Sequence, residues 1–248
     1  MSQWLKANVI KLKKWKNNLF TLVIQAPINS FVAGQFTKLS YVNSDKKRIQ
    51  RAYSFINPPH DKNLEFYILL IKTGQLTPRL YDIYHHKIYI AKNSFGFFTI
   101  TELPSKENIW MIATGTALGP YCSILQHENI LNKFNKIILV YAVKYNIDLN
   151  YLNIFKKIKN KYKDKIIIKI ILSQEKNKKY LYGRIPDLIR SGKLEKSINE
   201  PLHIDTSHVM LCGNPNMIQD TQKILFSLKN MKKHFRRKPG HITSENYW

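Results

Sequence analysis

Between residues 101 and 107 the hydrophobic grammar of this chain changes, and that change constrains the fold more than any other feature. Upstream, short β-branched or aromatic runs at residues 20–24, 35–39, 49–56, 64–71 and 87–92 are separated by segments carrying Pro, Gly, Asn or Asp. Several such strands at this spacing predict a small antiparallel β-barrel. One helical interruption, residues 77–83, has Thr77 as its expected N-cap and Pro78 at its first helical position. Downstream, apolar strands at 109–113, 137–142, 166–172 and 209–212 alternate with amphipathic helices at 121–126, 152–158, 186–190 and 217–228. That alternation predicts an α/β domain built on a doubly wound parallel sheet. A chain of 248 residues is long for one core and comfortable for two. The boundary falls in the polar stretch that carries Pro104, giving domains 1–101 and 102–248.

The formal charge of +24 invites a nucleic-acid reading, since basic proteins attract phosphate backbones without sequence specificity. Lysine, however, is abundant along the whole chain, and even the basic runs 156–165 and 232–238 read as solvated faces. The remaining use for such charge is a docking face for an acidic protein, so no specific nucleic acid is expected. The two cysteines, Cys122 and Cys212, stand far apart, which excludes a CxxC zinc site and an iron–sulfur cluster. No metal is expected, both thiols read as reduced, and at least one fills a core. No apolar stretch is long enough to cross a bilayer, and the amino terminus lacks the pattern of a secretory signal. A cytoplasmic protein with no membrane association is therefore expected.

Four short motifs carry chemistry. Arg51-Ala52-Tyr53-Ser54 lies in a predicted strand, where alternation puts Arg51 and Tyr53 on one face and Ser54 on the other. A guanidinium grips a pyrophosphate with its planar fork, and a tyrosine offers a flat ring against a flavin; the competing reading is an ordinary strand with an exposed arginine. Gly74-Gln75-Leu76-Thr77 leads into a helix whose first N–H groups face a phosphate well. Residues 113–120 follow an apolar strand and precede a helix, the context of a phosphate-binding turn, though Gly115 and Gly119 do not make the full G-x-G-x-x-G fingerprint. Cys212-Gly213-Asn214-Pro215 ends another parallel strand at the edge where open sheets bind ligands, and Asn214 or Asn216 also suits plain helix capping.

Taken in this order, with a carboxyl terminus on Tyr247-Trp248, the motifs resemble the bacterial ferredoxin–NADP(+) reductases, also called flavodoxin reductases, over essentially the whole chain. The resemblance implies an FAD-binding barrel domain, 1–101, and an NADP-binding α/β domain, 102–248, whose terminal residues return to the flavin. It implies FAD contacts from Arg51, Ala52, Tyr53, Ser54, Ile68, Leu69, Leu70, Gln75, Leu76, Thr77, Thr116, Tyr247 and Trp248. Ser54 would lie beside the reactive flavin nitrogen, Tyr53 and Tyr247 against the flavin rings, and Trp248 on the adenine side. NADP would be held by Thr116, Val143, Lys144, Ser173, Gln174, Arg184, Asn214, Pro215 and Asn216. Cys212 and Glu245 would stand at the hydride-transfer centre, Glu245 as the proton-handling or positioning group. Two positions depart from the family pattern: Lys144 and Gln174 stand where arginines are common, and only Arg184 keeps the guanidinium. The implied activity is electron transfer between NADPH and an acidic ferredoxin or flavodoxin, by a monomer that meets its partner transiently. The rivals are an NAD(P)H-dependent flavin or oxygenase-component reductase of the same architecture and a basic nucleic-acid-binding protein.

Overall fold

The computed structural model describes residues 3–127 and 132–247. The chain divides into two compact units, one of Met1–Ile100 with Gly119–His127, the other of Thr101–Leu118 with Glu128–Trp248.

In the first unit, β1 (Trp4–Lys6), β7 (Tyr89–Ala91), β4 (Phe36–Val42) and β5 (Arg48–Ser54) form one antiparallel sheet in that order. β2 (Asn8–Lys14), β3 (Leu19–Gln25) and β6 (Leu64–Leu69) form a second. A single residue, Ala7, separates β1 from β2, and its N–H donates to the Ile88 carbonyl at 2.9 Å. Just past β5, the Ile56 N–H donates to the Glu65 carbonyl of β6 at 2.9 Å. These two links join the sheets into a small barrel. Its core takes alternate residues of β3 (Phe20, Leu22, Ile24) and β6 (Leu64, Phe66, Ile68), with Leu80 of α1 (Thr77–Tyr81) and Leu76 just before it plugging in.

Three details differ from the sequence pattern. β1 and β2 go unpredicted because in β2 only Val9 and Leu12 turn inward while lysines occupy much of the rest. The β2–β3 turn is tight, with Asn17 and Asn18 at φ 55° and 59°, the positive values of a two-residue hairpin turn. Thr77 is not the N-cap of α1: the cap position is Leu76, without a side-chain bond. The Thr77 hydroxyl instead donates to the Ile71 carbonyl at 3.1 Å and accepts the Ile71 N–H at 2.9 Å, pinning the loop before the helix.

Helix α2 (Gly119–Gln126) follows the first strand of the α/β half in sequence yet packs with the barrel. Ser123 donates to the Asn57 carbonyl at 2.8 Å, Gln126 to the Ile56 carbonyl at 2.9 Å, and Tyr121 meets Phe98 edge-on at 5.6 Å.

The second unit is a six-stranded parallel sheet in the order β11-β10-β9-β8-β12-β13. Its strands are β8 (Asn108–Thr114), β9 (Lys136–Val143), β10 (Ile166–Leu172), β11 (Leu181–Tyr182), β12 (Ser207–Gly213) and β13 (Ile242–Asn246). The central strands are buried on both faces, which is why they read as unbroken apolar runs. Trp110, Ile112, Ile138, Val140, Val209 and Leu211 pack against α4 (Ile185–Arg190), α5 (Lys193–Ile198) and α6 (Pro215–Lys229). On β9, Tyr141 meets Phe155 of α3 (Leu152–Tyr162) edge-on at 5.7 Å. From β8 the chain winds outward to β11, then returns to place β12 on the other side of β8. The strand order therefore reverses between β8 and β12, and the carboxyl ends of those two strands flank the crevice where such sheets take ligands.

Candidate functional site

In the barrel unit, Arg51 and Ala52 are exposed on β5, Tyr53 is half-buried and Ser54 is buried. Arg51 donates to its neighbour's carbonyl, that of Gln50, at 2.7 Å and forms no ion pair among the described residues, so its charge is available to an anion. Burial pushes the Tyr53 phenol up despite the nearby Arg51 charge, so the ring stays neutral and presents a flat apolar face. Ile68 and Leu76 send their side chains into the barrel core, Leu69, Leu70 and Thr77 are half-buried, and Gln75 is exposed. Ile68 and Leu76 themselves can therefore meet a ligand only through their backbones.

In the second unit the structure brings the third and fourth motifs together at the sheet's reversal. Gly115, just after β8, adopts φ 57° with open space where a Cβ would stand, so glycine serves the backbone turn. A 3₁₀ turn, Gly115–Leu118, follows, with Thr116 buried. Across the crevice, Gly213 at the end of β12 has φ 143°, and a Cβ there would collide with the Thr114 hydroxyl. That hydroxyl accepts the Asn214 N–H at 3.0 Å, tying the β8 turn to the start of α6. The Asn214 side chain accepts from the N–H groups of Asn216 and Met217 at 2.9 and 3.3 Å, so Asn214, not Asn216, caps α6, with Pro215 opening it. Thr114 and Gly213 were both present in the motifs; that they interlock is visible only once β8 and β12 are neighbours.

The remaining second-unit candidates lie at the carboxyl ends of three adjacent strands. The Ser173 N–H donates to the Val143 carbonyl at 2.9 Å and the Gln174 N–H to the Lys144 carbonyl at 3.0 Å, extending the β9–β10 pairing past the strands proper. Gly183 donates to the Leu172 carbonyl at 3.1 Å, which brings Arg184, the cap residue of α4, to the same edge. Lys144, Gln174 and Arg184 are all exposed there. Two cations and a neutral amide thus share the edge where a phosphate would add two or three charge-assisted bonds.

Cys212 and Glu245 are register partners on β12 and β13. Burial pushes the Glu245 carboxyl up to about 7, and it raises the Cys212 thiol well above its ordinary value, with the neighbouring Glu245 adding to the effect. Cys212 is completely buried, beside a carboxyl whose burial raises it to about 7. The Tyr247 N–H donates to the Gly213 carbonyl at 3.0 Å, holding the chain end along β12. Trp248 lies outside the described residues.

Residues 111–223 match the family of oxidoreductase NAD-binding domains. The flavodoxin/ferredoxin–NADP reductase of Buchnera aphidicola subsp. Baizongia pistaciae (strain Bp) is 54% identical, over the full length of both chains. That of Escherichia coli (strain K12) is 45% identical, again over all of both chains. The crystal structure of a ferredoxin NADP+ reductase from Neisseria gonorrhoeae with bound FAD and NADP superposes with a TM-score of 0.92 at 25% identity, covering all of both chains. The barrel that closes through Ala7 and Ile56, the sheet that reverses between β8 and β12, and full-length identity of this order place the chain in the flavodoxin/ferredoxin–NADP reductase family.

Proposed function

We propose that this protein binds FAD and NADP(H) and moves electrons between NADPH and a ferredoxin or flavodoxin. The observation that carries the reading is the interlocked pair of turns at the sheet reversal, Thr114 with Gly213 and Asn214, beside the left-handed turn at Gly115. The residues fit both cofactors. Arg51 supplies an exposed cation for the FAD pyrophosphate, Tyr53 and Ser54 a flat ring and a hydroxyl, and residues 68–70 and 75–77 mainly backbone groups. Thr116 and Asn214 to Asn216 line the coenzyme crevice, while Val143, Lys144, Ser173, Gln174 and Arg184 receive the adenosine end and its phosphate. When bound, FAD exchanges a hydride with nicotinamide and single electrons with the protein partner. Glu245 holds or releases a proton near neutral pH beside that chemistry, Tyr247 orders the entry of nicotinamide, and Cys212 shapes the packing under them.

The partner class follows from charge: a chain of net charge +24 draws an acidic redox protein into a transient, salt-sensitive encounter. No helix among the described residues is long and apolar enough to cross a membrane. We place the enzyme in the cytoplasm, as a monomer without specific nucleic-acid partners.

Anaerobic titration of the FAD-loaded protein, followed by its visible absorbance, tests the reading. Bleaching is expected at stoichiometric NADPH and only at large excess of NADH, because Lys144 and Arg184 still attract the extra phosphate. Equal bleaching by both would refute the coenzyme preference, and failure to take up FAD would refute the function. Arg51→Ala should weaken FAD binding roughly 30-fold, the worth of one or two charge-assisted hydrogen bonds. Arg48→Ala is the control: that guanidinium is already held by Ser40 at 2.8 Å and by the Trp4 and Tyr89 rings, and its loss should leave FAD affinity within about threefold.

A further inference from the structure

Between α6 and β13 the chain doubles back on itself, and three histidines hold the fold-back. The His234 N–H donates to the Ile242 carbonyl at 2.7 Å, His241 donates to the Lys232 carbonyl at 2.8 Å, and the Val209 N–H of β12 donates to the His241 carbonyl at 2.8 Å. Gly240 is tucked against the carbonyls of Lys232 and Lys233, where a Cβ has no room.

The imidazoles are committed to one charge state by their partners. His234 Nδ1 accepts the Gly240 N–H at 3.1 Å, while Nε2 donates to the Glu102 carbonyl at 2.9 Å. His241 Nδ1 accepts the Lys232 N–H at 3.2 Å. A backbone N–H can only donate, so both rings are neutral with the proton on Nε2. His208, on β12, is wholly buried. Its Nε2 lies 2.9 Å from the Thr243 hydroxyl of β13, its ring meets His234 edge-on at 5.6 Å, and its Nδ1 has no partner among the described residues.

The surroundings disfavour a proton as well. Lys106, Lys133 and Lys232 act on His208 or His241. Lys106 is fixed by the Ile204 and Asp205 carbonyls and Lys133 by that of Leu103. Asp205 alone pulls the other way on His241, and it also pairs with His203 at 3.4 Å. The Glu102 carboxylate is taken by Arg236 at 2.8 Å.

We propose that the fold-back from Lys232 to Ile242 is a proton-operated latch on β13: neutral His208 and His241 hold it closed, His234 braces it between Gly240 and Glu102, and protonation of His208 and His241 releases it. The consequence for catalysis, loss of an ordered Glu245 and Tyr247, rests on the function proposed above; the latch itself does not. Burial, with the neighbouring positive groups, drives His208 down to about 3, and burial lowers His241 too. A histidine depressed in the closed form stabilises it above its ordinary value near 6.5, and that stabilisation is lost as pH falls toward the closed-form value. For His208 alone, the opening constant rises about 25-fold from pH 7 to pH 5. Glu245, on the same strand, works in the opposite sense. Its carboxyl is raised, so acid favours the closed form by keeping it neutral, and it masks part of the histidine effect.

Amide hydrogen exchange at Lys232, Gly240 and Ile242, corrected for intrinsic rates, tests the latch in FAD-loaded Glu245→Gln protein. The opening constant should rise about 25-fold or more between pH 7 and pH 5. Adding His208→Gln and His241→Asn, which keep a non-titrating amide near each site, should flatten it. A rise below about threefold in the Glu245→Gln protein overturns the proposal. Wild-type protein gives a second reading by imidazole ¹⁵N shifts at pH 5. Neutral Nε2–H rings wherever the fold-back amides are protected support the latch, and charged rings beside protected amides overturn it. Both readouts are independent of turnover, so their failure leaves the flavoenzyme reading untouched.

Discussion

Gly213→Ala is expected to lower the unfolding free energy by roughly 3–5 kcal/mol, through backbone strain and overpacking together. At φ 143° a side chain is strained wherever it sits, and here the added methyl falls on the Thr114 hydroxyl with the Thr114 Cβ and N both at 3.2 Å. Thr114 cannot swing aside without leaving the Asn214 N–H, 3.0 Å away, without its acceptor. Urea unfolding of the single and double variants separates the two causes. Thr114→Ala in the Gly213→Ala background should recover less than half the loss, because it relieves the clash with the hydroxyl but keeps the backbone strain and forfeits the Asn214 hydrogen bond. A Gly213→Ala protein within about 1 kcal/mol of wild type would mean that β8 and β12 do not meet as described.

Glu245→Gln should slow reduction of the FAD-loaded enzyme by NADPH about 100-fold, at the lower end of what a positioned proton-transfer group contributes. The diagnostic is the pH profile. Burial holds the Glu245 carboxyl near 7, so wild type changes protonation state within the working range and its reduction rate should bend there. Glutamine keeps the shape and hydrogen-bonding capacity of the neutral acid but has no proton to lose, so its rate should be flat from pH 6 to 8. Stopped-flow reduction in which the variant keeps the bend would assign that titration to another group. Glu245→Asp, a methylene shorter, should keep a bend at reduced rate.

The sheet was legible in the sequence because its central strands are covered on both faces. Runs such as Ile137 to Val140 and Val209 to Leu211 have no polar alternative, and the helices between them carry apolar stripes. Elements with little to bury were not legible. β2 turns only Val9 and Leu12 inward, β11 is two residues long, α5 is a six-residue helix between left-handed Gly192 and Asn199, and β13 alternates polar residues beside a single covering strand. Their structure comes from partners distant in the chain, which local pattern does not contain. The same division runs through the site. Glycines, the Asn214 cap and the exposed Arg51 were readable from residue type, whereas the pairing of Cys212 with Glu245 needed the β12–β13 register. The histidine fold-back lay in a stretch that read only as a run of lysines and arginines.

Helix α2 bears on how such a chain can be taken apart. A fragment ending at residue 100 would contain every barrel strand yet lack the helix that satisfies the Ile56 and Asn57 carbonyls and packs on Phe98 and Gly34. Cut at the apparent boundary, the flavin module would be left with an open apolar wound, and the coenzyme module with a stray apolar helix carrying Tyr121, Ile124 and Leu125. The unit of exchange, for an engineer grafting a different coenzyme half or for evolution doing the same, is therefore not one segment but two. Residues 119–127 must travel with the barrel they complete.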